Sequence, residues 1–167
     1  LPLDNVRPQQ PVYRGGEVNH LINPTLSTRI KAFLSEHEIS LYMLSQAVFS
    51  TLLHRVSGSQ DIVVGVPIST RNDAALSNVV GLWINSMISR TQFDHTATLL
   101  DVLQQVRKQT VANVKHQAFP IETLIEVLNV HRDPGYNPLF QIKLDVHNFD
   151  VVPLTFPQAD VSEQPIS

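Results

Sequence analysis

The chain has 167 residues, 43% hydrophobic and 16% charged, with a net charge of −3; this is the balance of a globular domain with its own core, not of a disordered segment, and it gives no support to a nucleic-acid or other polyanionic partner. Cysteine is absent, which removes disulfides, thiolate nucleophiles and cysteine-type zinc sites and is compatible with a reducing, cytoplasmic location. The longest apolar runs, such as Ile62-Val63-Val64-Gly65-Val66, are far too short to cross a bilayer, so no membrane partner is expected.

In chain order, the first residues, Leu1-Pro2-Leu3-Asp4, carry neither an initiator Met nor a basic-then-apolar signal, so the chain reads as a piece of something longer. Pro2, Pro8, Pro11 and Gly15-Gly16 make residues 1–16 an extended linker. Glu17 to Ile22 is expected as a short strand. Asn23-Pro24 offers an N-cap followed by Pro at the first helical position, and Leu26, Ile30, Phe33 and Leu34 predict a helix over 25–37. Ser40 caps a second helix whose apolar stripe is Leu41, Leu44, Val48 and Leu52 and which Gly58 stops. Its remaining positions from Tyr42 to Leu53 are uncharged too, the pattern of a helix buried on more than one side.

Asp61 to Ile68 is a nearly continuous apolar run ended by Pro67, as in a strand buried on both faces. Residues 69–80 form a polar loop or short helical turn, and Gly81 to Phe93 a second strand. Leu99, Val102, Leu103, Val106 and Val114 predict a helix over 97–116, and Pro120 opens a short one carrying Leu124, Ile125 and Leu128. Residues 131–138 are a turn-rich loop. Phe140, Ile142, Leu144 and Val146 alternate with polar residues, the pattern of a half-buried strand, and Val151 to Phe156 is one more candidate strand before a polar tail. Helices alternating with strands give an α/β fold, a two-layer sandwich of helices against a mixed sheet.

Chemistry is sparse. None of the seven His sits in an H-E-x-x-H or H-x-x-x-H pair, so no metal site is expected. There is no G-x-S-x-G elbow, P-loop or G-x-G-x-x-G. His147 with Asp150 reads as a surface pair at a strand end, and His54-Arg55 suits the dipole at a helix C-terminus.

Three stretches stand out: Asp61-Ile62-Val63-Val64-Gly65-Val66-Pro67 followed by Arg71; Val80-Gly81-Leu82-Trp83-Ile84-Asn85-Ser86; and His116-Gln117-Ala118-Phe119-Pro120-Ile121-Glu122, with Arg132-Asp133-Pro134-Gly135-Tyr136-Asn137-Pro138-Leu139-Phe140-Gln141 behind it. Together they resemble the condensation domains of nonribosomal peptide synthetases, which carry in this order D-I-V-V-G-x-P-x-x-x-R, I-G-x-F-V-N-T, H-Q-D-x-P-F-E and R-D-x-S-x-x-P-L-F-Q. Leu52-Leu53-His54-Arg55-Val56-Ser57-Gly58 is similar to that family's L-L-x-R-x-S-G, and Leu1 to Pro8 to its interlobe connector. The departures are small: Val80 for Ile, Trp83-Ile84 for Phe-Val, Ser86 for Thr, Ala118 for an acidic residue, Ile121 for Phe and Gly135 for Ser. The G-Y-G and F-N-Y-L-G stretches of epimerising relatives are missing.

The resemblance implies a chloramphenicol acetyltransferase-like half-domain: 1–16 as interlobe linker, 17–156 as C-terminal lobe, and 157–167 as a tail or the start of a crossover segment. The family's H-H-x-x-x-D-G histidine is absent, which would place the catalytic residue in an N-terminal lobe upstream and leave no catalytic residue in this fragment. The parent domain would be an amide-forming acyltransferase, while activity of this chain by itself is an open question. No cofactor would be bound directly; phosphopantetheine would arrive on donor and acceptor peptidyl carrier proteins, with an adenylation domain in the same synthetase. Two alternatives stay open, a stand-alone module that binds carrier proteins and a lobe of a related ester-forming acyltransferase. Self-association through an exposed apolar lobe face is expected.

Within that frame Asn85 is the first candidate for a substrate tunnel, its amide donating and accepting near the thioester or pantetheine arm; the other reading has it satisfying backbone groups at a strand edge. Trp83 lines the tunnel or packs in the core, and Ser86 is a lining candidate of the same kind. Arg71 is read as an ion pair anchoring the loop over 69–82, which is the candidate crossing loop. His116 and Gln117, with Pro120 and Glu122, build a helix-turn-helix corner, and Arg132, Asp133, Asn137 and Pro138 fix the loop before Phe140.

Overall fold

Three of the four helix starts carry a side-chain cap. In the computed structural model, which describes residues 2–6, 8, 15–71, 73–94, 96–131, 133 and 135–147, helix α1 spans Pro24–Glu36, and the Asn23 side chain accepts from the Leu26 N–H. Helix α2, Leu41–Ser57, starts on Ser40 and ends at Gly58, whose φ of 70° only glycine adopts freely. Strand β1 is Asp61–Ser69 and strand β2 is Ile84–Gln92, with a 3-10 turn at Ala74–Leu76 between them. Helix α3, Leu99–Lys115, opens with a capping box in which Thr98 and Asp101 satisfy each other's backbone N–H groups. Helix α4 is the short Ile121–Val127.

β1 and β2 pair antiparallel from Asp61↔Gln92 to Ser69↔Ile84. On the other edge of β1, Gly65 forms a parallel bridge with Lys143, donating to the Ile142 carbonyl (2.9 Å) and accepting from the Leu144 N–H (2.9 Å). Among the described residues the sheet itself is two-stranded and antiparallel, not the mixed sheet expected, and this parallel contact is an isolated bridge. Helices α2 and α3 cover one face of the sheet, and Ile62, Val64 and Phe93 meet Ala47, Leu53, Val102, Leu103 and Val106 there. Burying each large branched side chain contributes about 1.5–3 kcal/mol.

Four further expectations change. Glu17 to Ile22 forms no strand; Val18 and Leu21 are almost fully exposed, with no strand beside them among the described residues. The stripe Leu41, Val48 and Leu52 is the outer face of α2, each about half exposed, whereas the inner face is Gln46, Ala47, Ser50 and Leu53. Leu44 of the expected stripe packs against the core, but the rest faces outward, and three of the four buried positions of α2, Gln46, Ala47 and Ser50, are small or polar. Pro67 does not end β1. Phe93 donating to Gln60 and Thr70 donating to Trp83 show that even-numbered β1 residues bond β2, so the missing N–H of Pro67 points to the other edge. There it would have donated to the Leu144 carbonyl, and Phe140–Val146, expected as a strand, makes only the single bridge at Lys143. Val151 to Phe156, the tail at 157–167 and part of the 1–16 linker lie outside the described residues.

Candidate functional site

Strand alternation places Asn85, Met87, Ser89 and Thr91 on the helix side of β2, and the end of β2 nearest Asn85 meets the corner between α3 and α4. Helix α3 stops at Lys115 with His116 as its C-cap, the His116 carbonyl accepts from the Phe119 N–H (2.9 Å), and Pro120 precedes the first turn of α4. The carbonyls of this corner fall outside both helical ladders and need partners from elsewhere. Asn85 supplies them: its Nδ2 donates to the Gln117 carbonyl (2.9 Å) and the Phe119 carbonyl (2.8 Å), and its Oδ1 accepts from the Ser86 N–H (2.8 Å). Both amide hydrogens are engaged by backbone, which is the edge-satisfying geometry rather than a free pocket donor.

Trp83 is half-buried, and its carbonyl accepts from Thr70 (2.8 Å). Its indole N–H is buried without a partner among the described residues. The Arg71 guanidinium lies 5.5 Å from the ring centroid and donates to the Leu76 and Ser77 carbonyls. Arg71 was expected in an ion pair; its contacts are instead loop carbonyls and an aromatic face. Ser86 is half-buried on the opposite face of β2 from Asn85. Around this end Val80, Leu82, Ile84 and Phe119 are exposed, Val80 and Leu82 at 98% and 89%.

His116 and Glu122 are exposed, with Glu122 in the first turn of α4 where a carboxylate suits the dipole. Asp133 and Pro138 belong to a different place. Asp133 Oδ1 accepts from the Gly135 N–H (2.8 Å), Asn137 Oδ1 accepts from Leu139 (3.1 Å) and Phe140 (3.3 Å), and the turn lays the Phe140 ring over Gly65. A Cβ on Gly65 would sit 2.6 Å from that ring, so this glycine permits the close approach. Arg132 lies outside the described residues, as does Asp150; His147 meets Asp145 instead, at 3.2 Å. His54 stacks on Phe93 at 4.4 Å and meets the Ser59 carbonyl through Nδ1 (2.7 Å).

Sequence reading missed a buried polar set between α2 and β2. Gln46 donates to Ser50 (2.9 Å), Thr91 donates to Ser50 (3.3 Å), and Tyr42 hydrogen-bonds Ser89. Its only signal was weak: Asn85, Ser89 and Thr91 share one face of β2 with Met87, while the other face carries polar Ser86, Arg90 and Gln92 as well. Burial pushes the Tyr42 hydroxyl above its ordinary value, Arg90 lowers Asp61, and Thr98 lowers Asp101. Among the described residues no group of three or more His, Asp or Glu could hold a metal ion, and no helix is long and apolar enough to cross a membrane.

Comparison with known proteins adds a family. The family model described as "Condensation domain" matches residues 1–166. A "Dimodular nonribosomal peptide synthase" from Bacillus subtilis (strain 168) is 35% identical over 162 residues, 97% of this chain and 7% of that protein. "Bacitracin synthase 1" from Bacillus licheniformis is 33% identical over 153 residues, 92% of this chain and 3% of that protein. A solved holo four-domain nonribosomal peptide synthetase bound to AMP and glycine superposes with a TM-score of 0.85 at 28% identity, over 89% of this chain and 11% of the other. The X-domain from teicoplanin biosynthesis shares the fold at a TM-score of 0.80 and 24% identity, over 86% of this chain and 32% of the other. The chain thus spans a tenth or less of the length of the curated relatives it matches.

Proposed function

This chain belongs to the condensation-domain family, and from that premise we propose that it is the C-terminal lobe of a domain that forms amide bonds in nonribosomal peptide synthesis. In this reading two carrier proteins bring thioester-bound groups on phosphopantetheine arms, and the acceptor amine attacks the donor thioester. The amine's nitrogen bonds to the acyl carbon, the donor's thiol leaves, and the peptide passes to the acceptor arm. Holding two tethered reactants head to head supplies much of the rate advantage. A histidine in an upstream lobe orients or deprotonates the amine. This lobe contributes tunnel wall and carrier-facing surface around Trp83 and Ser86.

The observation that carries the reading is the juxtaposition of Trp83–Ser86 with the His116–Glu122 corner, linked through Asn85 and rimmed by Leu82, Ile84 and Phe119. Exposed apolar side chains gathered at one end of the fold form a surface suited to being covered. The same feature supports association with the upstream lobe or, without it, with a second copy.

The test is carrier-to-carrier peptide transfer by this chain, by the upstream lobe, and by both together. Transfer only from the pair is expected, and transfer by this chain unaided would overturn the proposal. An alcohol acceptor offered in place of the amine tests the ester-forming alternative, which predicts ester product. A start codon immediately before Leu1 would favour the stand-alone binding module.

A further inference from the structure

We infer that Asn85 is a positioning residue: it is the clasp that sets the α3–α4 corner against β2, and it acts on substrate only through the side chains that the clasp places. The inference rests on the function proposed above and assigns Asn85 a role other than direct contact with the thioester. One half-buried amide bridges backbone atoms 32 and 34 residues away and also holds the N–H of its neighbour Ser86. What else ties the corner to the sheet is slight: Asn113, in the last turn of α3, donates from its side chain to the Ile88 carbonyl of β2 (3.2 Å). Helix α4 is seven residues long with no buried side chain, and its N-cap, Pro120, makes no side-chain cap. Phe119 and His116, the residues that would face a substrate or partner from this corner, are exposed, so hydrophobic burial does not hold them. Asn113 holds the last turn of α3, whereas the segment beyond it, Gln117 to Phe119, is tied to β2 through the two Asn85 donors.

Replacing the amide by a carboxylate of the same shape gives a diagnostic. In Asn85→Asp two carbonyl oxygens would face a charged oxygen, which disfavours ionisation and raises the carboxyl's pKa. Protonation restores one donor, so the defect should fade as pH falls. Asn85→Ala lacks that option. The other ionisable groups on the elements meeting Asn85 are His116 at the corner, Glu122 and Glu126 of α4, Asp101, Arg107, Lys108 and Lys115 of α3, and Asp61, Arg71 and Arg90 from the sheet side, all exposed. They are present in every variant, so ratios to wild type at each pH cancel their titration.

The first measurement is hydrogen exchange of residues 114–122, read by mass spectrometry in the full-length polypeptide that carries this chain. At neutral pH both variants should exchange this segment about tenfold faster than wild type, the equivalent of one ordinary hydrogen bond, while the segment around Val64 is unchanged. At acid pH Asn85→Asp should approach wild type and Asn85→Ala should not. The second measurement is peptide transfer, where kcat should fall about tenfold with carrier KM within about twofold, with the same acid recovery in Asn85→Asp alone. Unchanged exchange at 114–122 in both variants would overturn the clasp, and so would faster exchange with unchanged kcat. A wild-type polypeptide that transfers no peptide would overturn the proposed function instead, and the exchange ratios would still decide the clasp.

Discussion

β1 and β2 are both nine residues long and pair along their whole length, yet different physics holds each against the helices. β1 turns Ile62, Val64 and Val66 inward, all buried carbon. Directly opposite, β2 turns Thr91, Ser89 and Met87 inward, and the two hydroxyls meet Ser50 and Tyr42 of α2. In the pairs Ile62↔Thr91 and Val64↔Ser89 one strand thus brings apolar area and the other a directional bond. Hydrophobic burial is non-directional and tolerates small shifts, whereas a buried hydrogen-bonded network is strong only in one arrangement. β1 therefore supplies most of the stability, and β2, with Asn85 at its end, supplies the registration that a positioning surface needs.

The largest effects should come from β1. Ile62→Ala removes buried carbon from the shared core and should lower unfolding free energy by about 2–5 kcal/mol, read from urea denaturation. Gly65→Ala forces a Cβ into the Phe140 ring and should lower it by about 1–3 kcal/mol through overpacking. Adding Phe140→Leu should recover part of that loss, because the clash is with this ring. If the two changes were simply additive, the contact between Gly65 and Phe140 would not be what makes residue 65 a glycine.

This asymmetry also explains what was legible in the sequence. β1 could be read because burial by carbon leaves an apolar run, and the ends of α1 and α2 could be read because Asn23, Ser40 and Gly58 carry their cap chemistry locally. The inner face of α2 could not, since Gln46 and Ser50 look like surface residues until their partners on β2 are known. The failed strand at Glu17–Ile22 has the same origin, because a strand needs a pairing partner and local pattern does not supply one. The corner at His116–Glu122 was visible as a motif. That Asn85 fastens it was not, because the bonds cross more than 30 residues and end on main-chain carbonyls that no side chain announces.

Changes in the polar set of β2 should be smaller and should separate registration from stability. Thr91→Val keeps the shape and loses one hydrogen bond, so it should lower stability by about 1 kcal/mol, well below its cross-strand partner Ile62→Ala. Gln46 is fully buried, and its Oε1 has no partner among the described residues. Gln46→Met with Ser50→Ala and Thr91→Val therefore removes an orphaned acceptor together with both hydrogen bonds to Ser50 and orphans neither of their partners, and the triple variant should be close to neutral in urea denaturation. A loss as large as that of Ile62→Ala would mean that the polar set carries stability comparable to the β1 core and would erase the contrast between the strands.

The smallest effect belongs to the one place where the two strands exchange charge. On the exposed face Arg90 makes a two-pronged contact with Asp61, Nε at 2.9 Å and Nη2 at 2.7 Å. Hydrogen bonding to Arg90 is the main cause holding Asp61 below its ordinary value of 3.8. A carboxyl with a depressed folded-state pKa adds stability above its unfolded value and loses it as pH falls through the folded value. The contribution should be complete above about pH 5 and fade below 3.8. Solvent screens both partners, so the amplitude should be small and should shrink further in about 1 M salt. In Asp61→Asn the acid limb of the stability–pH curve should flatten by that amplitude, while the curve near neutrality shifts little. An unchanged acid limb would show that the pair does not join β1 to β2 in solution, leaving the backbone ladder and the packing of facing side chains to hold the strands together.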